Sequence, residues 1–169
     1  MAREPGGLDI VALLRADVES LPPKARPACL AALERRAAER YRGWAAESTD
    51  PALAAGLRVC AARETAIADM IEAVFPAPSE SSAALRETLD RIGPKLSGRF
   101  TESGAAAKFA VQAAAERAGA VSWGLFADLA ANGAERWTLE ICARLEAESA
   151  DFLDAAISRP REDGAARGP

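Results

Sequence analysis

Residues 51–75 read PALAAGLRVCAARETAIADMIEAVF. Apolar side chains recur along this stretch at steps of three and four residues, which is the spacing of one face of an α-helix. The members of this face are Leu53, Leu57, Cys60, Ile67, Ile71 and Val74. Glu64 falls in the middle of the same face. Pro51 suits the first turn of a helix and Pro76 cannot continue one, so we expect a helix over 51–75.

Three further stretches have the same spacing, which predicts four long helices. Their expected spans are about 24–47, 51–75, 104–131 and 134–158. The links at 48–50 and 132–133 are short enough to reverse the chain between neighbouring helices. Residues 76–104 are long enough to cross from one end of a bundle to the other. The sequence therefore predicts an all-α, antiparallel four-helix bundle with a long crossover between its second and third helices.

Shorter features are expected outside these four helices. Apolar spacing before Pro22 predicts a short N-terminal helix. Another short helix is expected at 81–92 within the crossover, where the Gly-Pro step at 93–94 should end it. The whole is predicted to be one helical domain over 1–158, followed by a flexible tail over 159–169.

Composition excludes several classes of function. The 169 residues include 21 basic and 25 acidic side chains, and the net charge of −4 argues against a nucleic-acid partner. No apolar run is long enough to span a membrane and the first residues do not resemble a signal peptide, so we predict a cytoplasmic protein. The chain has no histidine, which removes Ser-His-Asp catalysis, HExxH zinc sites and the Glu-x-x-His di-iron motif.

One glutamate falls on the predicted inward face of each long helix: Glu34, Glu64, Glu116 and Glu148. A buried, charged and unpaired carboxylate costs several kcal/mol, so each needs a partner. A divalent metal shared by all four would meet that need, because carboxylates that converge in a bundle core are typical of di-metal sites. The alternatives are separate pairing with arginines, hydrogen bonds from a tryptophan or tyrosine, and extension of the carboxylate to solvent at the helix edge.

Short motifs around these glutamates resemble the ferritin-like superfamily, in particular its rubrerythrin-like branch. Residues 34–41, ERRAAERY, resemble the family's Glu-x-x-Ala-x-x-x-Tyr ligand helix. Residues 64–71, ETAIADMI, are similar to its Glu-x-x-His-Ala-x-x-Leu pattern, with Ile67 at the histidine position. Glu116 is followed by residues 123–130, WGLFADLA, which are similar to the family's aromatic and Phe-Ala segment. The resemblance covers most of the chain and implies a ferritin-like bundle.

The fourth helix fits this resemblance in two ways. A gapless match places Leu145 at the expected glutamate and Glu148 at the expected histidine. A second alignment pairs Glu148 with Asp151 and replaces histidine by aspartate. The resemblance implies Glu34, Glu64, Glu116 and Glu148 as metal ligands. The residues that it implies around them are Tyr41, Ile67, Trp123, Phe126, Leu145 and Asp151.

Three functional hypotheses follow. The leading one is a metal-depleted ferritin-like bundle without a cofactor, which acts as a scaffold or interaction module and forms a homodimer or binds a helical partner protein. The second is a carboxylate-bridged Fe or Mn protein, either an oxidase or hydroxylase or a metal-binding protein. The third is a bundle that binds a small apolar ligand in a cavity. Its expected lining is Ile67, Trp123, Phe126 and Leu145.

Overall fold

A computed structural model describes residues 10–101 and 104–158. Over these residues the chain is helical, with six α-helices and no strand, which confirms the prediction of an all-α protein. The helices are α1 (Ile10–Glu19), α2 (Arg26–Glu47), α3 (Pro51–Val74), α4 (Ser82–Thr101), α5 (Ala105–Asp128) and α6 (Gly133–Ser158). The predicted tail at 159–169 lies outside the described residues.

Capping side chains fix the two tight reversals of the chain. Between α2 and α3, the Asp50 carboxylate accepts a hydrogen bond of 2.8 Å from the Ala52 amide, and Pro51 occupies the first turn. Before α6, the Asn132 side chain accepts a bond of 3.0 Å from the Glu135 amide. Each cap satisfies an amide proton that the first helical turn cannot use. Both links are short, and each joins two long helices into a hairpin.

The crossover helix differs from the prediction, because α4 continues through Pro94 instead of ending before it. Ile92, Leu96 and Phe100 lie on one face of α4 and are buried. Pro94 is exposed, so its ring takes no room in the core. Arg36 of α2 donates a hydrogen bond of 3.0 Å to the Leu89 carbonyl, in the turn that precedes the proline. Burial on both sides of Pro94 thus outweighs the helix-breaking tendency of proline, which the sequence pattern alone suggested would dominate.

The two hairpins pack against each other. Helix α2 lies along α3, α5 lies along α6, and α3 also packs on α6. One apolar cluster surrounds Ile67 and Ile71, and a second surrounds Leu57 and Tyr41. A third cluster joins α1 and α4 to the start of α2. Glu64 lies on α3 between the first two clusters. None of the described helices is long and apolar enough to cross a membrane.

Candidate metal centre

Four glutamates from four helices meet between the two apolar clusters. They are Glu34 on α2, Glu64 on α3, Glu116 on α5 and Glu146 on α6. Glu64 has no exposed surface, and Glu116 and Glu146 are each 2% exposed. Glu34 is half-buried, and it lines a cavity between α2 and α5. The inward faces of all four long helices therefore carry a carboxylate to one place in the core.

The carboxylates approach one another closely. One oxygen each of Glu34, Glu64 and Glu146 lies within 4.8 Å of the other two. Glu116 lies beside Glu146, close enough for the two carboxyl groups to share a proton. Among the described residues, Glu64 Oε2 is a buried side-chain atom without a hydrogen-bond partner. Carboxyl groups this close together repel one another when they are ionised. The site therefore needs bound protons or a cation to neutralise it.

Donors around the cluster hold three of its four carboxyl groups. Tyr41 Oη donates to Glu116 Oε1 over 2.7 Å, and Gln112 Nε2 donates to the same oxygen over 2.5 Å. Trp123 Nε1 donates to Glu146 Oε1 over 3.0 Å. Ser149 Oγ donates to Glu64 Oε1, also over 3.0 Å. Such bonds orient a ligand group in the way that an outer shell orients metal ligands. The list of donors is Tyr41, Gln112, Trp123 and Ser149.

A glycine makes room for one carboxylate. A Cβ atom added at Gly119 of α5 would lie 2.5 Å from Glu146 Oε1 and 2.7 Å from its Cδ. Real Cβ atoms do not approach other heavy atoms so closely, so any larger residue here would push Glu146 away. Gly124 lies on the same helix with nothing within 4 Å of its added Cβ. Another side chain therefore lies close against the backbone of α5 at Gly119 but not at Gly124.

Burial and mutual repulsion shift the ionisation of these groups. Burial, followed by the charge of Glu116, raises the pKa of Glu34 to about 8. Burial, then the charges of Glu116 and Glu34, raises the pKa of Glu64 to about 10. Burial and the same neighbours raise the pKa of Glu146 well above its ordinary value. Without another cation in the site, these carboxyl groups hold protons at neutral pH.

Arg40 is the cation that reaches this part of the core. Its Nε and one terminal nitrogen donate to Gln112 Oε1 over 3.2 and 3.1 Å, and its guanidinium stacks 4.6 Å from the centre of the Phe100 ring. Burial lowers the pKa of Arg40, and the charge of Glu116 opposes that shift. One arginine cannot balance four ionised carboxylates, so without another cation the cluster depends on bound protons for most of its neutralisation.

The fourth-helix alignments are both wrong in position. Glu148 lies at the surface, where it accepts a hydrogen bond of 2.9 Å from Arg63, and its side chain is 46% exposed. Glu146 takes the inward position instead, and Ser149 follows it three residues later. Leu145 lies partly buried beside the Ile67 cluster, away from a glutamate position.

The remaining candidates divide between core and surface. Tyr41 and Trp123 contact the cluster through the hydrogen bonds described above. Ile67 is fully buried among apolar side chains and offers no ligand atom. Asp151 is exposed, which places it outside the site. Phe126 is 44% exposed and lies at the rim of the cavity, and it stacks edge-on against Trp123.

A sequence signal for Glu146 does exist. Glu34 and Glu64 each lie 82 residues before a glutamate of the second hairpin. Residues 60–69, CAARETAIAD, and 142–151, CARLEAESAD, align without a gap at this offset and share Cys, Ala, Glu, Ala and Asp. The two hairpins are thus related in sequence, and the relation assigns Glu146 as the counterpart of Glu64. Helical periodicity alone could not assign it.

The chain matches no protein-family model, no curated protein and no solved structure. The geometry of the cluster and the chemistry of its donors are therefore the basis on which a function can be argued.

Proposed function

We propose that this chain is a metal-binding protein built on a ferritin-like four-helix bundle, in which Glu34, Glu64, Glu116 and Glu146 bind hard divalent cations such as Mn²⁺ or Fe²⁺. The observation that carries the proposal is the state of Glu64. Its carboxylate is fully buried, its Oε2 has no hydrogen-bond partner, and it faces Glu34 and Glu146.

The charge balance of the site supports cation binding. Removing a carboxylate from water costs several kcal/mol unless an opposite charge replaces the lost hydration. Four carboxylates meet here and Arg40 supplies one positive charge at their edge. Protons are the alternative means of neutralising the cluster, because a proton can be shared between Glu34 and Glu64. A divalent cation would bind Glu64 Oε2 directly and neutralise two charges at once.

The local packing also fits a bound ion. The absence of a side chain at Gly119 allows Glu146 to lie against α5, where Trp123 orients it. A purely structural carboxylate would be displaced toward solvent at little cost, whereas a ligand must be held near its partners. Gly119 thus provides a space whose use is to position Glu146.

The donor set selects the type of ion. All the candidate ligand atoms are oxygens, because Ile67 and Ser149 stand three residues after Glu64 and Glu146, where the resembling family has histidine. Carboxylate oxygens favour hard cations and bind softer ions such as Zn²⁺ less selectively than mixed nitrogen and sulfur sites do. A bound Mn²⁺ or Fe²⁺ would supply Lewis-acid or one-electron redox chemistry, and the chain would orient the ligands and exclude water.

Titration calorimetry with Mn²⁺ on the chelator-stripped protein tests the proposal. We expect saturable, stoichiometric binding to the wild type and a loss of at least about tenfold in affinity for Glu64→Gln, since one ligand charge is removed. Glu148→Gln is the matched control, because it removes the same charge from α6 at a surface position that pairs with Arg63. Its affinity should equal that of the wild type.

Two results would contradict the proposal. Equal weakening in both variants would mean that Mn²⁺ responds only to the net charge of the protein. An absence of stoichiometric binding at neutral pH would favour the competing hypothesis from the sequence, a metal-depleted scaffold whose buried carboxyl groups stay protonated.

Self-association is a second candidate property, favoured by an exposed apolar stripe on α5. Val121, Leu125 and Leu129 lie at four-residue steps and are 64%, 60% and 81% exposed. Apolar side chains at this spacing form one continuous helix face. A homodimer that buries this stripe should dissociate when Leu125 is replaced by lysine, which light scattering would detect. A monomeric wild type at micromolar concentration would exclude the homodimer.

A further inference from the structure

A cavity of about 690 Å³ lies between α2 and α5 and reaches the carboxylate cluster. It exists because α2 packs mainly on α3 and α5 mainly on α6, so that the two helices diverge on this side of the molecule. Its volume falls within the range of sites that enclose small organic ligands. The cavity is therefore large enough for a molecule much bigger than an ion.

The walls and the floor of the cavity differ in polarity. Glu34, Glu116 and Glu146 form the polar floor, with Gln112 and Arg40 beside them. The walls are largely apolar, and their main side chains are Leu30, Leu33, Phe75, Leu96, Phe126 and Leu139. Two arginines and two glutamates also line the cavity and offset one another in charge; they are Arg15, Arg26, Glu19 and Glu135. A ligand that matches this distribution has an apolar body and one polar end.

The charge of the floor decides the nature of that polar end. Carboxylates that are ionised would repel an anionic end, and Arg40 is already engaged by Gln112 and the Phe100 ring. A neutral oxygen group needs no counter-charge when it is buried, and it can also bind a metal ion. A neutral oxygen group is thus compatible with the floor with or without a metal ion.

We propose that this cavity binds an apolar organic molecule that ends in a neutral oxygen group, an alcohol or a carbonyl, with that group at the carboxylate floor. Contact between this oxygen and a metal ion rests on the metal centre proposed above, whereas the fit of the apolar body to the walls does not.

Dye displacement on the full chain tests this proposal. The probe is Nile red, a neutral apolar dye with a carbonyl group, and the competitors are 1-octanol and octanoate. In chelator we expect 1-octanol to displace the dye at a concentration about tenfold lower than octanoate does, because burial costs a carboxylate more hydration than it costs a hydroxyl group. Measurements in chelator and in Mn²⁺ separate the two parts of the proposal, since Mn²⁺ should tighten binding of 1-octanol.

Variants locate the dye. Ser122→Phe projects an aromatic ring from α5 into the cavity, which Ser122 lines, and should weaken Nile red binding by about tenfold. Val121→Phe adds a similar ring one residue away at a position 64% exposed, so it should leave binding unchanged. Leu129→Asp, at an 81% exposed position on the rim, keeps the core intact and should weaken binding about threefold.

Four outcomes would overturn the proposal. Nile red binding that survives Ser122→Phe and Leu129→Asp in folded protein would place the dye elsewhere. Equal loss in Ser122→Phe and Val121→Phe would assign it to the exposed stripe on α5. Preference for octanoate in chelator would contradict the placement of a neutral group at the carboxylate floor. Mn²⁺ binding without 1-octanol binding would refute this inference alone, and 1-octanol binding without Mn²⁺ binding would refute the metal centre alone.

Discussion

Replacing Glu64 by glutamine in the metal-free protein should change how stability depends on pH. The pKa of Glu64 is about 10 in the folded chain and near 4.5 when unfolded. Between these two values the folded state binds the extra proton, so the free energy of unfolding falls as pH rises from about 4.5 to about 10. One such group contributes a slope of about 1.4 kcal/mol per pH unit.

The expected size of this effect is large. From pH 5 to pH 8, Glu64 alone would lower the stability of the metal-free wild type by up to about 4 kcal/mol, and Glu34 adds to the loss until pH passes its pKa of about 8. Whole domains of this kind are stable by only about 5–15 kcal/mol. Glutamine does not titrate, so Glu64→Gln should show a shallower slope and become more stable than the wild type at alkaline pH.

Urea unfolding in chelator at several pH values measures this slope. Glu148→Gln should reproduce the wild-type slope, because the Glu148 side chain is 46% exposed and pairs with Arg63 at the surface. Saturating Mn²⁺ should shift the difference in stability toward the wild type, since an ion at 100 times its Kd adds about 2.7 kcal/mol to the wild type and adds less to Glu64→Gln. Parallel slopes for the wild type and Glu64→Gln would refute the argument that Glu64 is buried and uncompensated.

Three further predictions concern the surroundings of the cluster. Gly119→Ala should weaken Mn²⁺ binding by about tenfold in calorimetry, because a Cβ would displace Glu146, whereas Gly124→Ala should retain wild-type affinity; equal affinities in the two variants would contradict this role of Gly119. Tyr41→Phe should lower the free energy of unfolding by about 2 kcal/mol in urea titration, since Glu116 loses a buried hydrogen bond of 2.7 Å, and a change below about 0.5 kcal/mol would show that the bond contributes little. Burial raises the pKa of the thiols of Cys29, Cys60 and Cys142 to about 11, 11 and 12. These thiols should therefore resist a disulfide reagent in native buffer at pH 8 and react after unfolding. Fast reaction in the native protein would contradict their burial.

Helical periodicity located three of the four cluster residues, because large apolar neighbours mark the same face of each helix. Glu64 lies between the buried residues Leu57 and Ile71, and Glu34 precedes the buried Tyr41 on its helix. On α6 the rule that large apolar side chains face inward failed at Trp137, which is 64% exposed.

The inward face of α6 combines two leucines, Leu139 and Leu153, with small residues. Cys142, Ser149 and Ala150 are buried there, since small side chains allow α6 to approach its neighbours closely. A pattern based on apolar size therefore predicted the wrong face of α6 to be inward and selected Glu148 in place of Glu146. The hydrogen bonds from Trp123 and Ser149 depend on contacts between helices, which periodicity within one helix does not contain.

Ion pairs within each hairpin show the same 82-residue relation at the surface. Arg35 pairs with Glu72 in the first hairpin, and Arg117 pairs with Asp154 in the second. The members of these pairs are related by the same offset as the cluster glutamates. Comparison of the two halves of the chain therefore carries structural information that a single helix does not.

Anomalous diffraction at the manganese edge, from crystals grown with Mn²⁺, tests the central claim most directly. The proposal predicts anomalous density bounded by the carboxylates of Glu34, Glu64 and Glu146, with Glu116 beside it, and no such density in crystals of Glu64→Gln. Density confined to surface carboxylates such as Glu148, or none in the core at saturating Mn²⁺, would contradict the assignment of these glutamates as a metal centre.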